Sequence, residues 1–394
     1  MNVFSNAAIV ELGLFAAWLP TADVGGVVIR SGKDTAFCVG ADLAELGAAY
    51  DMIMSTPAPA RFTKAFDHFF QLSAAIRAVE TCGKPVAAAI GGLALGGGCE
   101  LAMGAHYRVL ADDPRAGLGL PESLVGLLPG GGGTQRLPRL IGLEAALPIL
   151  LQGARLSGQA SVDAGLVDRI VPAGEEVAAA EAWLLGAPFT VQPWDRPEYT
   201  APDGDQGRAL LATRRQTILA ETLGHYPAPL AILDCLEFGL PQPFDGAIRS
   251  EMAVFAHLIQ RPEPRNMIAS LFLGKNDYDR RRKRGEMPAF VAEAVATVRA
   301  ILANRSSDQA VLAAAGFAGL STPQPAAVRD RAEPGFWVDR APAAAAVLRE
   351  IEAAMAPLAA HLSVEEQRLA NCAVIHEAGY PAYLGGPFAY GSSR

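Results

Sequence analysis

Two glutamates in the first third of the chain stand beside glycine-rich turns. Glu100 follows the glycines at 96–98, and Glu122 lies in a Pro-Glu-Ser turn ahead of the glycines at 130–133. A glycine-rich turn from a strand into a helix leaves successive backbone N–H groups unpaired at the positive end of the helix, where they suit an oxyanion or a phosphate. Two carboxylates beside such an amide-lined cavity can move a proton to one carbon while activating water at the next.

Each of these features also has an ordinary structural interpretation. Three consecutive glycines can form a tight turn that needs positive φ angles. A carboxylate in the first turn of a helix is commonly a favourable partner of the helix dipole, so Glu100 taken alone is more often structural than catalytic. Its neighbours Cys99, Leu101, Ala102 and Met103 are apolar, so its carboxylate points either into a dipole-lined pocket or out to water.

Strands and helices alternate around these residues. Short apolar β-branched runs and helical spacing predict a strand at 24–31, a helix at 59–80, a strand, turn and short helix over 84–104, a strand centred on 107–110, a helix at 134–153, and a closing helical turn and strand over 162–172. Alternation at these intervals indicates an α/β unit with parallel connections.

The composition changes near residue 185. Residues 187–206 are rich in Pro, Asp and Gly and have no apolar period, so they are interpreted as a linker or surface excursion. Downstream the spacing predicts an almost wholly helical region, with helices at 209–223, 229–238, 247–259, 264–274, 289–304 and 341–361, a break at 280–288, and a last helix that runs into a Gly/Pro/aromatic loop.

The bulk composition restricts the class of protein. With 394 residues and 51% hydrophobic content, the chain is expected to form more than one packed unit. A net charge of -8 argues against nucleic-acid and membrane-surface partners, which are themselves negative. Five scattered cysteines without a CxxC pair predict free, mostly buried thiols and no metal site. Without a long apolar run or a leader, the predicted location is the cytoplasm.

Four segments taken together resemble the crotonase (enoyl-CoA hydratase/isomerase) superfamily, and in particular its bacterial multifunctional fatty-acid oxidation branch. They are IRSGKDTAFCVGADL, KPVAAAIGGLALGGGCELA, DDPRAGLGLPESLVGLLPGGGGTQRLPRLIG and LSGQASVDAGLVDRIVP, and they follow in the family's order. The resemblance implies an α/β fold, with a crotonase-type spiral of ββα turns followed by an all-helical carboxy-terminal region. It also implies three ranges: a crotonase-like domain at 1–190, a helical linker at 191–285 and a second helical domain at 286–394.

The resemblance assigns roles to individual residues. Glu100 and Glu122 match the two glutamates of the family, and the backbone N–H groups of Ala41 and Gly97 match its oxyanion hole. In the family's hydration reaction, Glu100 would take a proton from water and Glu122 would deliver one to the α-carbon. Contacts with substrate and coenzyme A are expected at Gly40, Asp42, Leu43, Gly98, Gly130 and Gly131.

By this resemblance the chain is an enoyl-CoA hydratase, a hydro-lyase that converts a 2-enoyl-CoA into a 3-hydroxyacyl-CoA in fatty-acid or aromatic degradation. An enoyl-CoA isomerase, an acyl-CoA thioester hydrolase and a non-catalytic acyl-CoA-binding subunit are the alternatives. Two glutamates favour hydration, since isomerases can work with only the carboxylate that matches Glu122. Coenzyme A would enter as part of the substrate, with no separate cofactor, and a homo-oligomer is allowed.

The dehydrogenase half of the multifunctional branch is only partly matched. No glycine set here has the GxGxxG spacing of a dinucleotide-binding turn after a strand, so no NAD is expected. Residues 226–275 resemble the helical linker of that branch, and residues 373–391 resemble the end of a 3-hydroxyacyl-CoA dehydrogenase carboxy-terminal domain. His376 is therefore predicted to be structural. The basic run at 280–284 is interpreted as a solvated face, with a contact to the 3′-phosphate of coenzyme A as the alternative.

Overall fold

A computed structural model of the chain describes residues 1–33, 36–186, 188, 190–317 and 336–390. Contacts between residues divide the chain into two compact units. Unit 1 comprises Met1–Leu211 and Ala231–Gln260, and unit 2 comprises Ala212–Leu230 and Arg261–Arg394. The predicted ranges 1–190, 191–285 and 286–394 describe sequence likeness and stay a prediction.

Unit 1 contains two four-stranded sheets. The first sheet has the order β1 (Val27–Arg30), β3 (Val86–Ile90), β5 (Tyr107–Asp112) and β8 (Arg169–Pro172), and all its pairs are parallel. The second sheet has the order β2 (Ala36–Cys38), β4 (Leu93–Leu95), β6 (Gly117–Gly119) and β7 (Arg155–Leu156), in which only the β6–β7 pair is antiparallel.

The first six strands form three consecutive pairs, and the two strands of each pair enter different sheets before the next α-helix begins. β1 and β2 precede the helices α2 (Leu43–Ser55) and α3 (Ala58–Glu80), β3 and β4 precede α4 (Gly97–Gly104), and β5 and β6 precede α5 (Gly133–Ile141). This alternation is a spiral of ββα turns, so the predicted fold class is confirmed. The all-buried sequence Val-Ala-Ala-Ala-Ile of β3 fits its place between two parallel neighbours in a covered sheet.

The helices that lie in unit 1 are α1 (Asn6–Trp18), α2 (Leu43–Ser55), α3 (Ala58–Glu80), α4 (Gly97–Gly104), α5 (Gly133–Ile141), α6 (Leu143–Gln152), α7 (Gly158–Asp163), α8 (Glu176–Leu185) and α11 (Phe244–Leu258). α9 (Asp205–Thr222) and α10 (Pro227–Gly239) have residues in both units. The helix predicted at 59–80 is confirmed as α3. The single helix predicted at 134–153 is wrong, because Gly142 interrupts it with a φ of 82°, which favours glycine.

The regular structure described in the second segment of unit 2 is helical, as predicted. Its elements are α12 (Pro262–Met267), a π-helical stretch (Ile268–Leu273), α13 (Gly274–Arg284), α14 (Ala289–Asn304), α15 (Gln309–Ala314), α16 (Phe336–Ala359), α17 (Val364–Ala378) and α18 (Pro387–Tyr390). Its core is formed by apolar side chains such as Val298, Leu312, Val347, Ile351 and Val374. Across the described ranges, no helix is both long enough and apolar enough to span a bilayer.

The predicted break at 280–288 is partly wrong, because Arg280–Arg284 form the last turn of α13. Asp277 accepts hydrogen bonds from Arg280 and Arg281, which lie three and four residues further along the helix. Basic side chains at a helix carboxyl end also favour the helix dipole. The helix ends only at Gly285, whose φ is 68°.

Candidate active site

The second sheet brings the predicted site residues to one edge. Gly40 and Ala41 follow β2, Gly96 and Gly97 follow β4, and Glu122 comes shortly after β6. These three strands are parallel neighbours, and Leu95 at the end of β4 pairs with Gly119 at the end of β6. The carboxyl ends of parallel strands meet at the same edge of a sheet, where open α/β folds place their ligands. Segments about 80 residues apart in sequence therefore converge there.

The glycine turn at 96–98 serves close packing as well as conformation. Gly96 has a φ of 52°, and a Cβ atom built on it would lie 2.6 Å from Oε1 of Glu122. A Cβ on Gly98 would lie 2.2 Å from the carbonyl oxygen of Cys38, a separation that no side chain tolerates. The conformational interpretation therefore holds at Gly96, and close approach to β2 explains Gly98.

Two backbone N–H groups at this edge are available to a ligand. Phe4 pairs with Ala41 so that the Phe4 N–H donates to the Gly40 carbonyl at 2.8 Å and the Asp42 N–H donates to the Phe4 carbonyl at 3.0 Å. The N–H of Ala41 points away from this bridge, and Gly97 opens α4, where N–H groups have no intrahelical acceptor. Among the hydrogen bonds of the described ranges, neither N–H is a donor. Their role as an oxyanion hole stays a prediction.

Glu100 points inward, away from water, with only 1% of its surface exposed. Its Oε1 accepts hydrogen bonds from the N–H groups of Gly131 and Gly133, each at 2.7 Å. Burial raises the pKa of Glu100 to about 7, although these two N–H donors and Arg136 oppose the rise. The carboxylate thus lies at the amino end of α5, where the helix dipole favours negative charge.

Glu122 begins a short 3₁₀ turn, Glu122–Val125, directly after Pro121. Its Oε2 is inaccessible to solvent and finds no hydrogen-bond partner among the described residues. Burial, and then the charge of Glu100, raises the pKa of Glu122 well above its usual range. The two carboxyl groups therefore interact, and Glu122 is the one whose surroundings favour the protonated form.

A buried ion pair holds the turn that binds Glu100, because its arginine donates to a backbone carbonyl of that turn. Nη1 of Arg136 donates to the Gly131 carbonyl at 2.7 Å, while Nε and Nη2 of Arg136 donate to the two carboxylate oxygens of Glu80 at 3.1 Å. Both side chains of the pair are fully buried. Sequence reasoning did not single out either residue.

Glu251 of α11 is another buried carboxylate, and sequence reasoning missed it. Its Oε1 accepts from the Gly132 N–H at 2.7 Å, and its Oε2 accepts from the N–H and the hydroxyl of Thr134 at 3.0 and 2.5 Å. Burial, followed by the charge of Glu100, raises its pKa to about 8. The available signal was its place on the buried face of the helix, beside Ala247, Ile248, Met252 and Phe255.

The remaining predicted contact residues have local structural partners. Asp42 caps α2 by accepting from the N–H groups of Ala44 and Glu45 at 2.9 and 3.4 Å, and Leu43 is the first residue of that helix. A Cβ on Gly130 would lie 3.3 Å from the Phe255 ring. The N–H of Gly131 is occupied by Glu100. Contacts of these residues, and of Gly40 and Gly98, with coenzyme A stay predictions.

The cysteines and the other possible metal ligands complete the inventory of reactive side chains. Cys38, Cys82, Cys99, Cys235 and Cys372 are all free and buried. Within the ranges that the structure describes, no three His, Cys, Asp or Glu side chains are grouped so that they could share a metal ion.

The sequence matches known proteins along most of its length. Residues 1–187, just under half of the chain, match the model of the family described as enoyl-CoA hydratase/isomerase. The fatty acid oxidation complex subunit alpha of Shewanella amazonensis is 36% identical over 280 residues, which are 70% of this chain and 38% of that protein. The protein of the same name from Shewanella sp. (strain ANA-3) is 32% identical over 278 residues, with the same shares of 70% and 38%. The chain thus spans little more than a third of the length of the curated relatives it matches.

Solved structures also show some likeness. Enoyl-CoA hydratase from Bacillus anthracis is 24% identical with a TM-score of 0.41, over 68% of this chain and 86% of that chain. DspI from Pseudomonas aeruginosa is 29% identical with a TM-score of 0.39, over 47% of this chain and 66% of that chain. Both TM-scores are low, so the family assignment rests on the sequence match.

Proposed function

Because residues 1–187 belong to the enoyl-CoA hydratase/isomerase family, we propose that this chain is an enoyl-CoA hydratase. It would add water across the double bond of a 2-enoyl-CoA thioester and release a 3-hydroxyacyl-CoA. The substrate carries its own coenzyme A, so the reaction needs no further cofactor.

The observation that carries the proposal is the pair of buried carboxyl groups in unlike surroundings. Glu100 accepts two backbone N–H bonds, which favour its ionised form, whereas Oε2 of Glu122 has no partner among the described residues and the pKa of Glu122 is raised further by the charge of Glu100. Two titratable groups whose environments separate their pKa values are suited to serve as base and acid in one reaction.

In the proposed reaction, Glu100 removes a proton from a water molecule, and the water oxygen bonds to the β-carbon of the enoyl thioester. The electron pair of the double bond moves toward the thioester carbonyl, whose oxygen gains negative charge and accepts hydrogen bonds from the N–H groups of Ala41 and Gly97. Glu122 then gives its proton to the α-carbon. Proton exchange with solvent restores both carboxyl groups. Removing one such oxyanion donor typically costs on the order of 10²–10³ in rate.

The test follows the loss of absorbance of the conjugated thioester in crotonyl-CoA and in a longer 2-enoyl-CoA, together with product masses. Wild type should form the hydrated product, and Glu100→Gln and Glu122→Gln should each lower kcat on the order of 10²–10⁴-fold, because neither amide can exchange the proton. Glu176→Gln is a matched control, since Glu176 is also buried and accepts a backbone N–H, that of Gly174 at 3.0 Å. The control should keep wild-type kcat.

The products of the same assay separate the proposal from its alternatives. A shifted double bond without a gain of water would make the chain an isomerase, and free coenzyme A would make it a thioester hydrolase. Binding of an acyl-CoA without any product would leave a binding subunit. Each of these results would overturn the hydratase proposal.

A further inference from the structure

Four consecutive backbone N–H groups at the amino end of α5 are divided between two buried carboxylates. Gly131 and Gly133 donate to Glu100 on α4, while Gly132 and Thr134 donate to Glu251 on α11. Because alternate N–H groups donate to different carboxylates, Glu100 and Glu251 bind the same turn from opposite sides. Neither can move without changing the direction of the N–H groups that hold the other.

The two carboxylates are unusual occupants of such a turn. One would satisfy a helix amino end, and a second buried charge costs several kcal/mol unless its surroundings compensate for it. The compensation at Glu251 comes from two N–H groups, the Thr134 hydroxyl and the nearby guanidinium of Arg136. An apolar side chain in its place would leave the Gly132 and Thr134 N–H groups buried without an acceptor.

Several titratable or charged groups face Glu251. Glu100 on α4 and Glu122 in the turn after β6 feel its charge, which raises the pKa of Glu122. Arg136 and Arg139 approach from α5, and the thiol of Cys235 approaches from α10. The negative charge of Glu251 therefore acts on both members of the proposed acid/base pair.

The Thr134 hydroxyl allows Glu251 to exist with or without its proton. When Glu251 is ionised, the hydroxyl donates to Oε2 at 2.5 Å and itself accepts from Nε2 of Gln135 at 2.9 Å. When Glu251 is protonated, the hydroxyl oxygen can accept from the carboxyl group, and its own hydrogen can turn toward Cys235, with which Thr134 also forms a hydrogen bond. Burial and the charge of Glu100 place this change at a pKa of about 8.

We propose that Glu251 is a positioning residue of the active site, which fixes the Glu100 carboxylate through the turn they share and acts as an electrostatic partner of Glu122. The inference rests on the proposed hydratase function for its kinetic consequences, although not for its structural ones. Glu251 touches neither water nor substrate in this role. It acts through the turn at 131–134 and through its charge.

The first test compares the pH dependence of kcat/KM in wild type, Glu251→Gln and Glu251→Asp. When Glu251 ionises, its charge helps Glu122 to keep its proton, so in Glu251→Gln the alkaline limb should move to lower pH, on the order of one pH unit. The acidic limb of the kcat/KM profile should stay at its wild-type pH, because glutamine resembles the protonated carboxyl group. The kcat should fall about tenfold, because Gly132 and Thr134 donate to different oxygens of Glu251 and the NH₂ group that replaces one oxygen in glutamine cannot accept, so the turn shifts.

The Glu251→Asp variant tests the position of the carboxylate separately from its charge. Aspartate keeps the negative charge but withdraws the carboxylate by one methylene group. The alkaline limb should therefore stay near that of wild type, while kcat falls. Glu176→Gln again serves as the control for replacing a buried glutamate that accepts from a backbone N–H group, that of Gly174. A Glu251→Gln variant with the wild-type profile and the wild-type kcat would overturn the inference.

A second measurement does not depend on turnover. Protein labelled with ¹³C at the glutamate carboxyl carbon reports the titration of Glu100 and Glu122 directly, with the Gln variants providing assignments. Glu251→Gln should lower the apparent pKa of Glu122 whether or not the chain hydrates enoyl thioesters. If wild type is inactive but this shift occurs, the hydratase proposal fails and the electrostatic partnership stands. If wild type is active and neither titration nor profile moves, the inference about Glu251 fails.

Thr134→Val provides a milder variant if Glu251→Gln does not fold. It removes the hydroxyl that donates to Oε2 but keeps the backbone N–H, so Glu251 should lose its proton at higher pH. The alkaline limb should then move in the same direction as in Glu251→Gln, by a smaller amount. No movement of that limb in a folded Thr134→Val protein, together with an unchanged Glu122 titration, would equally overturn the inference.

Discussion

The two units differ in whether their charged side chains are buried. Among the residues whose exposure is described, every buried charged side chain belongs to unit 1, and these are Glu80, Glu100, Arg108, Arg136, Arg139, Glu176 and Glu251. The buried polar side chains described in unit 2 are those of Ser270 and Asn371, which are neutral. Its ion pair between Arg305 and Glu350, at 2.5 Å, lies where both side chains are more than a third exposed.

The difference shows that the free-energy cost of burying charged side chains falls on unit 1. Removing a charge from water costs several kcal/mol even after the protein relaxes, and apolar residues of similar volume often serve stability as well or better. Unit 2 forms its core from apolar side chains and so avoids the cost of burying charge. Unit 1 retains two buried carboxylates, Glu100 and Glu251, on one glycine turn, which is the arrangement expected where chemistry uses the charges.

The largest difference between the units should appear when a methyl group is added to a glycine. Gly98→Ala in unit 1 would place Cβ 2.2 Å from the Cys38 carbonyl oxygen, so we expect a loss of about 5 kcal/mol or more and little folded protein. Gly285→Ala in unit 2 meets open space at a φ of 68° and should cost only about 1–2 kcal/mol. Thermal melting followed by circular dichroism measures both, and equal costs would remove the packing explanation for Gly98.

The next largest difference should come from breaking one ion pair in each unit. Glu80→Ala leaves Arg136 buried without its carboxylate partner and should lower the free energy of unfolding by about 3–5 kcal/mol. Glu350→Ala breaks an exposed pair and should cost less than about 1 kcal/mol. Denaturant titration of the two variants gives the comparison. A small loss in Glu80→Ala would mean that Arg136 finds another partner.

The last difference should appear in the pH dependence of local stability. In unit 1, the folded-state pKa values of Glu100, about 7, and Glu251, about 8, lie above the ordinary value of 4.5. The folded state therefore holds protons that the unfolded chain has released. The stability of unit 1 should fall by about 1–3 kcal/mol per pH unit between pH 4.5 and 7, and less steeply from pH 7 to 8.

Unit 2 should show the opposite slope. Burial lowers the pKa of His225 from 6.5 to about 4, against a hydrogen bond with the Ala314 carbonyl. The unfolded chain therefore takes up this proton first as the pH falls, so unit 2 should lose about 1–3 kcal/mol between pH 6.5 and 4. Hydrogen exchange of peptides from each unit, corrected for the intrinsic effect of pH, measures the two slopes. His225→Gln should flatten that of unit 2, and parallel slopes would contradict both assignments.

Much of the fold could be predicted because its signals are local. Apolar spacing predicted α3 and α14 within one residue at each end, and the glycine run at 96–98 marked the start of α4. The strands β2, β4 and β6 have only three residues each and escaped prediction as separate strands, because so short a run shows no period. The basic run at 280–284 was expected to break a helix, yet it is helical, and Asp277 on the same helix binds Arg280 and Arg281, three and four residues further along.

The sequence by itself determined the order of the glycine turns, the two glutamates beside them and the helical character of the second half. Only the tertiary structure decided how deeply those glutamates are buried, which groups they contact and how their pKa values shift. Gly132 and Glu251 are 119 residues apart, and no local pattern states that they meet. The pKa of Glu100 depends on its depth of burial and on charges brought close by other segments. Charge interactions depend on distance in space, which the sequence specifies only after the whole chain has folded.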